Sequence, residues 1–105
     1  ELMFTGRIVQ GPEALALRLV TRLAEDPVAE ALALAATIAT KNPDAIRAGK
    51  RLLNHSLDIP VDARLQYETH LQLQLLGSKN QMEAVMANMQ KREPVFSDHW
   101  DDGED

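Results

Sequence analysis

Few side chains in this sequence are of a type and spacing that could support catalysis or metal binding. The three histidines, His55, His70 and His99, are far apart, and no cysteine is present to complete a zinc site. Ser56 and Ser78 have no base partner that spacing can identify, so the pattern does not predict a hydrolase triad. We therefore predict no catalytic residue and no metal ligand within this chain.

The remaining charged residues of interest are two glutamates and a basic cluster. Glu68 and Glu83 lie in segments with apolar stripes, and we predict ordinary solvent-facing or hydrogen-bonding roles for both. Arg47, Lys50 and Arg51 fall within about one helical turn. No aromatic residues are interleaved with this cluster, so a solvated face or an anion contact is favoured over nucleic-acid binding.

The net charge of −5 comes entirely from the end of the sequence. Residues 97–105 contain five acidic residues and no lysine or arginine, and the rest of the chain has eleven acidic residues and eleven lysines and arginines. A neutral body is not attracted in bulk to nucleic acid or to an anionic membrane. No apolar run approaches the roughly 20 residues of a membrane span, so the predicted location is the cytoplasm or an organelle matrix.

Composition and patterning predict an all-α, mainly helical chain. The apolar residues are mostly Leu and Ala, which suit helices that pack through small side chains. One or two very short extended pieces are expected near the N-terminus, at residues 7–10 and 19–23. The sequence begins in what reads as the last turn of a helix, with Gly6 as its stop, so we expect it to be cut from a longer chain.

Three regions are predicted. Residues 1–25 would be the truncated end of a larger core with a short helix, residues 26–96 a helical domain, and residues 97–105 an acidic flexible tail. Asp26-Pro27 and Asn42-Pro43 each combine an N-cap residue with a proline at the first helical position, and both predict helix starts. Gly49, inside the second of these helices, predicts a close helix–helix contact.

The last predicted helix runs from Ser78 to Arg92 and has a signal at each end. Ser78 and Gln81 have the spacing of a capping box. Lys91 and Arg92 would lie in the last turn, where cations suit the negative end of the helix dipole, and Pro94 prevents continuation.

An apolar stripe runs along this helix at i, i+3, i+4 and i+7, and consists of Met82, Val85, Met86 and Met89. Packing of the stripe in a core is the favoured interpretation. A surface that adapts to a partner is the alternative, because methionine repacks easily.

Several short motifs in register carry a family resemblance. They are Thr5-Gly6-Arg7, Glu13-Ala14-Leu15 before Leu19-Val20, Ala48-Gly49-Lys50-Arg51-Leu52-Leu53-Asn54, Tyr67-Glu68, Gly77-Ser78 and Lys91-Arg92-Glu93-Pro94-Val95-Phe96. In this order the chain resembles the C-terminal part of the enoyl-CoA hydratase/isomerase (crotonase) superfamily, over residues 1 to 96. The resemblance implies a spiral of ββα units that carries the active site, followed by a helical C-terminal region that drives trimer formation.

The same resemblance implies where the chemistry lies. In that family, oxyanion-hole amides polarise the carbonyl of an acyl-coenzyme A thioester, and in hydratases two glutamates manage water and proton transfer. Both features precede the Thr-Gly-Arg motif, so this chain would be the oligomerisation region and would be inactive alone. The parent would be an enoyl-CoA hydratase or isomerase of fatty-acid metabolism, a homotrimer or hexamer with no tightly bound cofactor.

One cofactor contact is implied for this chain. In relatives, a lysine at the position of Lys91 reaches coenzyme A bound to a neighbouring subunit, and an ammonium suits a phosphate there. A helix C-terminal cation is the alternative role for Lys91. The chain departs from the family at Asn88, where a phenylalanine is common. It also departs at Arg18, where the usual glycine is missing and a different helix end is predicted.

Two other functions fit the helical pattern. One is a free-standing helical module that self-associates through its apolar faces without catalysis. The other is a small regulatory helical bundle, which would be monomeric in light scattering, whereas both other hypotheses predict an oligomer.

Overall fold

The computed structural model describes residues 1–57 and 59–98, and these form helices joined by irregular segments, with no β-strand among them. The helices are α1 (Leu2–Thr5), α2 (Gly11–Ala16), α3 (Pro27–Ala39), α4 (Pro43–His55), α5 (Val61–Leu75) and α6 (Lys79–Gln90). The all-α prediction is confirmed. The predictions for His99 and for the acidic tail from residue 99 onward lie outside the described residues.

None of the described helices is long and apolar enough to cross a membrane.

The chain divides into two compact units, Glu1–Ala35 and Ala36–Asp105. In the first unit, the Arg7 side chain joins α1 to α2. Its Nε donates to Glu1 at 3.2 Å and its Nη1 donates to Glu13 at 3.0 Å, and the bond from Arg7 lowers the pKa of Glu13. A mainly apolar depression of about 450 Å³ lies in the same unit, between α2, the connection that follows it and the start of α3.

Helix α2 ends at a left-handed residue that is not glycine. Arg18 has φ of 59°, its N–H donates to the carbonyl of Leu15 at 3.0 Å, and the N–H of Leu19 donates to Ala14 at 2.9 Å. This is the Schellman arrangement that normally uses glycine. The prediction that Arg18 changes the helix end is therefore wrong. The two hydrogen bonds hold a conformation that costs an ordinary residue roughly 1–2 kcal/mol.

The predicted starts of α3 and α4 are confirmed. Oδ1 of Asp26 accepts the N–H groups of Val28 and Ala29 at 3.1 and 3.0 Å, and the side chain of Asn42 caps α4 in the same way. These bonds satisfy backbone N–H groups that have no partner inside the helix. The proline that follows each cap residue has no N–H group and so needs no partner there. Local chemistry alone thus sets both starts.

In the second unit, α4 and α5 pack against each other. The buried residues of this pair include Ala48 and Leu71, which are 3% and 4% exposed. The rings of His55 and Tyr67 also meet here, with centroids 5.3 Å apart. The predicted close contact at Gly49 is wrong, because a Cβ placed there would have no neighbour within 4 Å. The buried small residue is the one before it, Ala48.

Helix α6 packs through the face opposite its apolar stripe. On this face lie the buried Asn80 and Ala87 and the half-buried Glu83 and Ala84, whereas Met82, Val85, Met86 and Met89 are between 42% and 74% exposed. The two sets are offset by two residues, about 200° around a helix of 3.6 residues per turn. The helical period was predicted correctly, but the interpretation of the stripe as core is wrong for this chain.

Candidate cofactor-contact site

The C-terminal end of α6 contains the one predicted cofactor contact, Lys91. The helix ends at Gln90, and Lys91 follows in the left-handed conformation with φ of 53° and ψ of 40°. Its N–H donates to Asn88 at 3.2 Å, and the N–H of Arg92 donates to Ala87 at 3.0 Å. The prediction that Lys91 and Arg92 lie in the last helical turn is wrong, because a Schellman motif closes the helix before them.

The Lys91 side chain is exposed, and within residues 1–57 and 59–98 it forms no hydrogen bond or ion pair. A lysine ammonium carries three donors on a flexible stem and suits a phosphate as a point charge. Its position just beyond a helix C-terminus is also favourable for a cation. The geometry therefore permits both roles that the sequence suggested for Lys91.

A groove of about 310 Å³ lies beside this helix end. The connection between α3 and α4 forms one wall, including Lys41, and the segment after α6 forms another, including Pro94 and Phe96. Asn88 lines the groove and Lys91 does not. Where relatives are expected to have an aromatic ring, this chain therefore presents an amide, which can hydrogen-bond a polar ligand but offers little apolar area.

Glu83 connects α6 to the segment that follows it. Its Oε2 accepts from Nη2 of Arg92 at 2.9 Å, its Oε1 accepts from Nη1 of the same guanidinium, and Oε1 also accepts the N–H of Val95 at 2.8 Å. The bonds from Arg92 and then Val95 lower the pKa of Glu83 to about 2. Of the two roles predicted for Glu83, solvent-facing or hydrogen-bonding, the structure shows the second, and the Arg92 side chain forms a bidentate ion pair with it.

The lowered pKa of Glu83 predicts a pH dependence of stability. Its folded-state pKa of about 2 lies below the ordinary value of 4.5, so its contribution is present above pH 4.5 and is lost as the pH falls toward 2. Urea unfolding at a series of pH values should show a shallower decline over this window for Glu83→Gln than for the wild type. Glu68→Gln is the control and should keep the wild-type slope; equal slopes for Glu83→Gln and wild type would contradict the prediction.

A buried polar network ties α4, α6 and the last described segment together. Nδ2 of Asn80 donates to Asp44 Oδ2 and to the carbonyl of Ser97, each at 2.8 Å. Its Oδ1 accepts the N–H of Ser97 at 2.9 Å and the hydroxyl at 3.3 Å. Asn80 is 3% exposed, so all of its hydrogen-bonding capacity is used away from water. Sequence reasoning missed this network, since an asparagine in a first turn reads as an exposed residue.

Other residues that the sequence singled out make ion pairs or cap helices in the structure. Arg47 of the basic cluster pairs with Asp98, and Ser78 caps α6 by accepting the N–H of Gln81 at 3.3 Å. The Gln81 side chain bonds the N–H of Gly77 at 2.9 Å, one residue before the position that a standard capping box uses. In the part of the chain that the structure describes, no group of three or more His, Asp or Glu side chains could hold a metal ion.

His55, His70 and Ser56 are likewise bonded within their own helices or turns. Nδ1 of His55 lies 3.0 Å from the carbonyl of Arg51, and His70 contacts Gln74 at 3.2 Å. The Ser56 hydroxyl donates to the carbonyl of Leu53 at 3.0 Å. These contacts bring no serine to a histidine, so the described residues offer no nucleophile–base pair of the triad kind.

Comparison with curated proteins identifies relatives over most of this chain. It is 36% identical to the mitochondrial Delta(3,5)-Delta(2,4)-dienoyl-CoA isomerase of Mus musculus, over 89% of this chain and 29% of that protein. It is 32% identical to the probable enoyl-CoA hydratase echA8 of Mycobacterium bovis, over 92% of this chain and 38% of the relative. The mitochondrial methylglutaconyl-CoA hydratase of Mus musculus is 28% identical, over 91% and 32% respectively. No family model matches the chain.

Helical architecture and these relatives together define the class. The chain belongs to the enoyl-CoA hydratase/isomerase (crotonase) superfamily, as the motifs implied. It spans about a third of the length of the curated relatives that it matches.

Proposed function

We propose that this chain is the C-terminal helical region, residues 26–96 above all, of an acyl-coenzyme A enzyme that hydrates or isomerises enoyl-CoA. Its task is to assemble the homo-oligomer, a trimer or hexamer, and to place Lys91 near a phosphate of coenzyme A bound to a neighbouring subunit. The enzyme would work in the cytoplasm or an organelle matrix. Support comes from the relatives, which are named as a dienoyl-CoA isomerase, an enoyl-CoA hydratase and a methylglutaconyl-CoA hydratase.

The observation that carries the oligomerisation proposal is the exposed apolar stripe of α6. Its residues are regularly spaced over two turns, yet the helix packs through its opposite face. Among the described apolar residues, only Ala48, Leu71 and Ala87 are buried. Contiguous exposed apolar surface marks interaction sites, because covering it releases about 25 cal/mol per Å². A second copy of the enzyme is the partner that the family resemblance implies.

The chemistry of the proposed enzyme would be supplied by residues outside this chain. Amide donors of an oxyanion hole would stabilise negative charge on the thioester oxygen as water adds to, or a proton leaves, the acyl chain. This chain would contribute the oligomer interface and the ammonium group of Lys91, which would contact the cofactor. We accordingly expect the purified chain to give no turnover with crotonyl-CoA; measurable hydration by it would overturn this division of roles.

Oligomerisation is tested by light scattering coupled to size exclusion. We expect the purified chain to be larger than a monomer and Met86→Glu/Met89→Glu to be monomeric, because two charges would have to be buried in the interface. Gln66→Glu/Gln72→Glu adds the same charge to exposed positions of α5 and should leave the assembly unchanged. A monomeric wild-type chain would contradict the proposal.

The cofactor contact is tested by kinetics in the proposed enzyme. We expect Lys91→Met to raise KM for crotonyl-CoA roughly fivefold with kcat unchanged, the effect of one partly exposed charged contact. KM for crotonyl-pantetheine, which lacks the nucleotide phosphates, should not change. Lys79→Met, at the other end of α6, is the matched control. An unchanged KM for crotonyl-CoA in Lys91→Met would show that Lys91 only terminates the helix.

A further inference from the structure

The turn that carries Lys91 is held on its C-terminal side by one carboxylate, that of Glu83. Glu83 binds the guanidinium of Arg92, the residue directly after Lys91, through both carboxylate oxygens. It also accepts the N–H of Val95 at 2.8 Å, four residues beyond Lys91. The side chain of Glu83 is 23% exposed, so most of it is shielded from water. Bidentate charge-assisted bonds of this kind fix direction as well as distance.

Lys91 needs such support because of its backbone conformation. With φ of 53° it occupies the left-handed region, which costs a non-glycine residue roughly 1–2 kcal/mol and persists only where the surroundings hold it. The Schellman bonds hold the N-terminal side of the residue. On the C-terminal side, the contacts of Arg92 and Val95 with Glu83 keep the chain from relaxing into extended or continued helical geometry.

The conformation of this residue decides where its ammonium points. Continuation of α6 would direct the Lys91 side chain back along the helix surface, as helical side chains are. The left-handed turn instead leaves the side chain exposed, with no hydrogen bond or ion pair to the described parts of its own chain. A contact with a ligand on another subunit is stronger if the Lys91 side chain already points outward before the ligand binds, because ordering a lysine upon binding costs affinity.

We propose that Glu83 is a positioning residue for coenzyme A recognition: by binding Arg92 and the Val95 amide, it holds Lys91 in the orientation that meets a cofactor phosphate. This inference rests on the proposed contact between Lys91 and coenzyme A. Glu83 itself touches no ligand. It acts through the residues that flank Lys91, so its effect on binding must depend on the presence of the lysine.

A double-mutant cycle in the proposed enzyme tests this dependence. We expect Glu83→Gln to raise KM for crotonyl-CoA about threefold with kcat unchanged, since glutamine keeps the size and loses the charge that binds Arg92. Glu83→Gln in the Lys91→Met background should add nothing further. KM for crotonyl-pantetheine should be unaffected by either change. Arg92→Gln, measured in the same cycle, replaces Glu83→Gln if that variant does not fold, and Glu68→Gln is the control on α5.

The outcomes separate this inference from the proposed function. Non-additive increases of KM, confined to crotonyl-CoA, support the positioning role. If Lys91→Met raises KM and Glu83→Gln has no effect, or an effect equal in both backgrounds, the positioning role is overturned while the Lys91 contact stands. If Lys91→Met itself leaves KM unchanged, the proposed contact fails and the positioning role fails with it.

Discussion

Replacing Asn80 with alanine is expected to lower the free energy of unfolding of this chain by about 2–3 kcal/mol, because the buried Asp44 carboxylate and the backbone of Ser97 lose their partners together. Asn80 donates to Asp44, which is 6% exposed, and to the Ser97 carbonyl; it accepts the Ser97 N–H. Oδ1 of Asp44 already has no hydrogen-bond partner among the residues that the structure describes. Without Asn80 its Oδ2 would lose that bond as well, in a side chain that is largely shielded from water.

Urea unfolding followed by circular dichroism measures this loss, and amide hydrogen exchange at Ser97 reports it locally. Asn88→Ala is the matched control, an exposed asparagine on the same helix, and should change the free energy by less than about 0.5 kcal/mol. Equal effects of the two alanine variants, or unchanged protection of the Ser97 amide in Asn80→Ala, would show that the network contributes little.

Leu71→Ala is expected to lower the free energy of unfolding by about 2–4 kcal/mol, the usual range for deleting a buried leucine side chain. Leu71 lies on α5 and is 4% exposed, whereas the other buried apolar residues, Ala48 and Ala87, are small. Among residues 1–57 and 59–98, Leu71 is the one large apolar side chain that is buried, so the stability of this part depends strongly on it. The cavity left behind would also remove the dispersion contacts that Leu71 makes with the side chains around it.

The matched comparison for this prediction is on the same helix. Leu73 is 64% exposed, and Leu73→Ala should alter the midpoint of thermal unfolding little. Both variants retain the helix propensity of α5, because alanine favours helices at least as well as leucine. If the two variants lower the midpoint equally, the packing of α5 does not depend on Leu71 and this account of the core is wrong.

The elements predicted well are those that neighbouring residues determine. The side-chain oxygens of Asp26 and Asn42 cap their helices by accepting backbone N–H groups two or three residues further along the chain. Ser78 caps α6 in the same way. Gly6 and Gly77 take the left-handed conformation that their positions predicted. Such interactions involve residues within four positions of each other, so sequence patterns reveal them without knowledge of the fold.

The face on which a helix packs was less accessible to sequence reasoning. For α6 the hydrophobic pattern identified Met82, Val85, Met86 and Met89 as a core stripe, yet the packed face is built from Asn80, Glu83, Ala84 and Ala87. An apolar stripe shows which face avoids water and does not show whether its partner is present in the same chain. In the homo-oligomer that we propose the two differ, because the apolar face would pack against another copy.

The residues that close α2 and α6 also show what sequence patterns fail to predict. Arg18 and Lys91 take left-handed conformations that sequence patterns assign to glycine or asparagine. At Lys91, the supporting contacts come from Glu83, two turns earlier on α6, and from the chain beyond it. Such support depends on how the chain folds back, and no local propensity encodes it.

Sequence alone determined the helical class, the starts of α3, α4 and α6, and the resemblance to the crotonase superfamily, which the relatives confirm. These depend on local hydrogen bonds and on motifs kept in register. Only the tertiary structure decided that Asn80 is buried, that Glu83 binds Arg92 and Val95, and that the apolar stripe of α6 is exposed. Each of these depends on contacts between residues distant in sequence, or on which helix face the folded chain leaves uncovered.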